Sequence, residues 1–117
     1  MSATERAIEL TRAAATAAAD KLATDIIAFD VSEQLAITDV FLVCTASSAP
    51  QVRAVQDAVE EALLAMDAKT VRREGQSEAQ WVLLDFADIV VHVQQTDMRA
   101  YYALERLWSD CPLVPLT

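Results

Sequence analysis

The stretch DVFLVCTASSAPQVRAVQDAVEEALLAM, residues 39–66, changes its hydrophobic period once, and that change decides the fold. Asp39 to Thr45 carries β-branched, aromatic and aliphatic side chains on both alternate faces, which predicts a strand covered on two sides. After it, Ser48 and Gln51 stand at capping spacing, and Val52, Val55, Val59, Leu63 and Met66 follow at helical spacing. Gln56, Asp57, Glu60 and Glu61 lie on the opposite side, so the segment reads as an amphipathic helix. A short strand is predicted at Thr70 to Arg73, making a strand–helix–strand unit expected to be a parallel, right-handed crossover.

Working outward, Ser2 and Glu5 have capping-box spacing, and Ile8, Ala15, Ala18 and Leu22 recur along an alanine-rich helix. Asp25 to Val31 predicts another strand covered on both faces. Downstream, Gly75 is the chain's only glycine, in a polar stretch where a turn needs positive φ or an unhindered backbone. Gln80 to Asp85 and Asp88 to Gln94 flank Phe86-Ala87 as a hairpin. The expected register sets Trp81 opposite His92, Leu83 opposite Val90 and Asp85 opposite Asp88, all on one face. Thr96 is placed to cap a last helix bearing Met98, Tyr101, Leu104 and Trp108, before Pro112 and Pro115. The expected order is α-β-β-α-β-β-β-α: an α/β fold with a mixed sheet of about five strands, flanking helices and a nucleotidyltransferase-like element order. A chain of 117 residues fits a single domain, 1–117.

Composition narrows the function. Apolar residues make up 54% of the chain, enough for a core, yet no run approaches a bilayer span. Glu5, Arg6, Glu9 and Arg12 interrupt the start, so no secretory signal is read and a cytoplasmic location is expected. Cys44 and Cys111 form neither a C-x-x-C pair nor a disulfide framework, and are expected to be free thiols. The net charge of −9 repels a phosphate backbone, so direct nucleic-acid binding is not expected and a basic protein partner is favoured.

Catalytic motifs are wanting. One glycine cannot build a P-loop or a G-x-G-x-x-G turn. Cys44 with His92 is a conceivable thiol–base pair, but a thiolate is disfavoured inside an apolar strand, and a packed cysteine is the plainer reading. Asp85 and Asp88 lack a third ligand for a metal. Their D-x-x-D spacing, without Gly-Ser before it, also lacks the requirements of a nucleotidyltransferase. What stands out is aromatics beside acids, the usual make-up of an interface anchor: Trp81, Tyr101, Tyr102 and Trp108 with Glu74, Asp85, Asp88, Asp97 and Glu105. Helical spacing assigns Tyr101 and Trp108 to the core, leaves Trp81 open between core and interface, and sets Tyr102 off the stripe.

Glu74-Gly75, Trp81-Val82-Leu83-Leu84-Asp85, Val90-Val91-His92 and Arg99 through Tyr102, Leu104-Glu105 to Trp108 together resemble the ribosomal silencing factor, or Iojap-like, family. Asp39-Val40-Phe41, Thr45, Ser48 and Gln51-Val52 extend the likeness back to about Asp25. The resemblance implies an α/β sheet with flanking helices, no catalytic activity and no cofactor. It also implies binding to a basic protein, uL14, on the intersubunit face of the large ribosomal subunit, blocking subunit joining and lowering translation when nutrients are short. Some members form homodimers. Carried over, the partner-binding residues are Glu74, Trp81, Asp85, Tyr102 and Glu105. The family usually has glycine at the positions of Ala46 and Ala87. Two alternatives stay open: a homodimeric adaptor that does not bind ribosomes, and a degenerate nucleotidyltransferase-like enzyme.

Overall fold

A computed structural model describes residues 2–116. The elements run α1 (Glu5–Asp20), β1 (Thr24–Asp30), β2 (Val40–Ala46), α2 (Ala49–Leu64), β3 (Arg72–Glu74), β4 (Trp81–Asp85), β5 (Ile89–Gln95), α3 (Thr96–Tyr101) and α4 (Leu104–Leu107). One mixed sheet holds all five strands in the order β1-β2-β5-β4-β3. The expected α/β fold is therefore present, with the last helix split in two.

Helix α2 forms as its sequence predicts, except that it ends at Leu64 and leaves Met66, the last residue of the expected stripe, in the turn beyond. Ser48 is extended and its side chain accepts from the Gln51 amide, while Val52, Val55, Val59 and Leu63 are buried. Each contributes roughly 1.5–3 kcal/mol by leaving water. Helix α1 packs beside it on the same face of the sheet. Its cap is Thr4 rather than Ser2: Thr4 is extended and its Oγ1 accepts from the Ala7 amide at 3.1 Å, which leaves Glu5 in the first turn. The buried face is Ala7, Leu10, Thr11, Ala14, Ala15, Ala17 and Ala18, where the small alanines permit close packing around Leu10, and the expected Ala15 and Ala18 are among them. Leu22 is excluded from it, because the helix ends at Asp20 and Leu22 turns to positive φ with its side chain in solvent.

Strand β2 is central and buried on both sides, as predicted. Strand β1 is not central: it lies at the sheet edge, where Pro112 and Val114 of the C-terminal segment bond to Asp30 and Ala28. The parallel neighbour of β2 is β5, not the strand after α2. Strand β3 starts later than expected and pairs antiparallel with β4. Two antiparallel steps from β5 give it the direction of β2, but at the opposite edge. The β4–β5 register also differs, with Trp81 opposite Gln94, Leu83 opposite His92 and Asp85 opposite Val90. The cause is the turn, which is Ala87-Asp88 closed by the Phe86 amide on the Ile89 carbonyl. Because the register moves by two residues, the faces are preserved.

The two faces of the sheet are unlike. Leu42, Cys44, Val82, Leu84, Val91 and Val93 pack in the main core with α1 and α2. On the other face, Phe29, Val31 and Cys111 form a smaller cluster with Ile27, Leu35, Phe41 and Trp108. No helix among the described residues is long and apolar enough to cross a membrane.

Candidate functional site

The site builds on that second face. Alternation along β4 brings Trp81, Leu83 and Asp85 to one side, all half-buried, and pairing puts Glu74 of β3 opposite Leu83. The β3–β4 connection depends on Gly75. Its φ is +83°, and a Cβ there would lie 2.0 Å from the Trp81 carbonyl oxygen. The loop is pinned elsewhere too: the Ala79 amide donates to the Gly75 carbonyl, Gln95 Nε2 to the Ala79 carbonyl, and Arg53 to the Ser77 carbonyl. Trp81 is thereby delivered at a fixed angle.

Trp81 bridges the interior and the surface. Its Nε1 donates to His92 Nδ1 at 3.1 Å, which places the imidazole proton on Nε2. Its ring meets Tyr102, with centroids 5.3 Å apart and 37° between planes, and Tyr102 meets Tyr101 edge-on at 4.8 Å. Tyr101 is 80% exposed, overturning its assignment to the core. The physical reason is that the last helix breaks. Thr96 does not cap it, since Gln95 holds the N-cap position without a side-chain bond, and α3 stops at Tyr101. The Tyr102 carbonyl then accepts from the Leu104 amide and from Gln94 Nε2, so the intended stripe does not continue into α4. Trp108 does turn inward, edge-on to Phe41 at 5.3 Å.

Trp81 stands as a ridge between two open grooves. One, of about 500 Å³, is lined by Gly75, Ser77, Glu78, Trp81, Met98 and Tyr102. The other, of about 310 Å³, is lined by Glu74, Gly75, Trp81 and Leu83. Tyr102 and Glu74 thus line separate grooves on either side of Trp81, with Glu74 in an exposed ion pair to Arg72. Asp85 lies further along β4 at the turn, where its Oδ1 accepts from the Ala87 amide. Glu105 lies beyond Tyr102, held by Arg99, beside Asp25 and Ile27. Of the five predicted residues, Trp81 and Tyr102 meet, Glu74 lines the groove on the other side of Trp81, and Asp85 and Glu105 lie further off. Sequence reasoning missed Met98 and Arg99, and only the Arg99 charge amid apolar neighbours hinted at an internal partner.

Cys44 and His92 cannot act together. Val43 pairs with His92 and Cys44 with Val93, so the two side chains point to opposite faces of the sheet. Burial pushes the Cys44 thiol up to about 12, against a smaller opposing pull from Arg99. Burial likewise pushes His92 down to about 4, so it is neutral at physiological pH. Among the described residues no group of three or more His, Cys, Asp or Glu is placed to hold a metal ion.

Residues 4–117 match the family described as "Ribosomal silencing factor during starvation". The chain is 42% identical to Ribosomal silencing factor RsfS of Bacillus subtilis, over 88% of this chain and 87% of that one. It is 30% identical to the chloroplastic Protein Iojap of Zea mays, over 87% of this chain but 44% of that longer one. A crystal structure of a protein from Chromobacterium violaceum superposes with a TM-score of 0.83 at 35% identity, covering 86% of this chain and 84% of the other. Another, from Bacillus halodurans, gives 0.79 at 37% identity, covering 92% and 97%.

Proposed function

Because the chain belongs to the ribosomal silencing factor family, we propose that it binds the large ribosomal subunit and sterically blocks joining of the small one. The partner on that subunit is the basic protein uL14, and the outcome is repression of translation in the cytoplasm under nutrient limitation. The observation that carries this reading is the Trp81–Tyr102 ridge, half-exposed, rigidly mounted and flanked by carboxylates. A steric block needs affinity and bulk, not turnover. Aromatic anchors supply the first, and a net charge of −9 speeds encounter with a basic surface. Glu74, Trp81 and Tyr102 form the centre of the partner-binding face, with Asp85 and Glu105 at its flanks. Homodimerisation is part of the proposal, and the exposed Tyr101 and Leu107 offer apolar area for it.

Purified large subunits are sedimented with wild type and with a Tyr102→Ala, Glu74→Lys double variant, then mixed with small subunits. Both positions are exposed, so the variant keeps its fold by circular dichroism. Wild type should co-sediment and reduce joined ribosomes, and the variant should bind at least about tenfold more weakly. Wild type remaining in the supernatant would sink the docking reading.

A further inference from the structure

Helices α3 and α4 have six and four residues and bury none of them, so neither helical propensity nor apolar burial accounts for their placement. Yet they carry Tyr102, which is half of the ridge. Trp108 seats the far end of the segment on Phe41, and the rest is mounted on one row of the sheet, in which Thr45, Gln94 and Trp81 are cross-strand neighbours on β2, β5 and β4. Each grips the segment at one point. Arg99 Nη1 donates to Thr45 Oγ1 at 2.8 Å, Gln94 Nε2 donates to the Tyr102 carbonyl at 3.3 Å, and Trp81 packs on the Tyr102 ring. The other side of the Arg99 guanidinium donates from Nε to Glu105 Oε2, tying α3 to α4. Gln94 is fully buried and the Arg99 side chain is 13% exposed, so neither has a surface to offer a partner.

We propose that Arg99 and Gln94 are positioning residues for the docking face, and that Glu105 serves this latch through Arg99 rather than meeting the partner itself. The inference rests on the docking reading above. Without the latch, α3–α4 samples positions in which Tyr102 leaves Trp81. If a tenth of molecules keep the competent arrangement, apparent affinity falls about tenfold with no contact removed.

The test uses full-length protein with the substitutions Arg99→Met, which keeps the aliphatic stem, Glu105→Gln, and both together. Affinity for purified large subunits is measured at low and high salt, and amide exchange is followed by mass spectrometry. Each single change should weaken binding about tenfold, the pair no more than the worse single, and equally at both salts. Exchange should quicken across residues 96–108 while β2 stays protected. A Glu105→Gln loss that shrinks at high salt and multiplies with Arg99→Met would overturn the proposal, because Glu105 would then be meeting a charged partner. Arg99→Met binding within about twofold of wild type would overturn it as well. Should Arg99→Met fail to fold, Thr45→Val removes one end of the grip and takes its place. Wild type that ignores large subunits defeats the docking reading, whereas unchanged exchange in the variants defeats the latch.

Discussion

Acid should destabilise this protein through His92 well before most of its carboxylates are protonated. The ring is 5% exposed, lies edge-on to Phe41 at 5.1 Å and accepts the Trp81 indole proton on Nδ1. Protonation would bury a charge and set two donors against each other. Burial lowers the folded pKa to about 4, against 6.5 for a free histidine. A depressed folded pKa means the contribution is complete above the unfolded value and is lost as pH falls from 6.5 towards 4. Linkage over that interval gives a loss of about 2 kcal/mol by pH 5 and about 3 kcal/mol by pH 4. The comparison is His92→Asn, whose Oδ1 takes the place of Nδ1 as acceptor for the Trp81 indole but does not titrate. Urea unfolding of both proteins at about pH 7.5, 6 and 5 yields a difference from which the shared carboxylates cancel. Wild type should lose about 2 kcal/mol more than the variant between the extremes. Stabilities that run parallel within about 0.5 kcal/mol would refute the argument.

Gly75→Ala places a methyl group on the Trp81 carbonyl at positive φ, and should lower unfolding free energy in urea by at least about 2 kcal/mol. Ala87→Gly acts in the other direction. Ala87 has φ 71°, so relieving it should raise stability by about 0.5–1 kcal/mol in the same assay. Cys44, fully buried with its thiol pushed up to about 12, should resist iodoacetamide at neutral pH in native protein and react only after unfolding, as peptide mass spectrometry would read.

The sequence by itself determined what is local. The switch from an unbroken apolar run to helical spacing after Thr45, the Ser48 cap and the valine stripe of α2 required no distant partner, and each formed as read. Gly75 was legible because one backbone position demanded it. The candidate site was legible by residue type, as aromatics beside acids, and the structure sets Tyr102 and Glu74 in the grooves on either side of Trp81. Only the tertiary structure decided neighbours. Periodicity states which side of a strand is buried, not which strand lies beside it, so nothing local revealed that β5 inserts next to β2 and sends β1 to the edge. The hairpin register followed from one bond across Ala87-Asp88, and the break after Tyr101 from side chains on the sheet beneath. Arg99 reaches Thr45 across 54 positions of sequence, a hydrogen bond that exists only once the chain has folded. Burial, pairing and polar grips of that range depend on the whole sheet, and they set the angle at which Tyr102 meets Trp81.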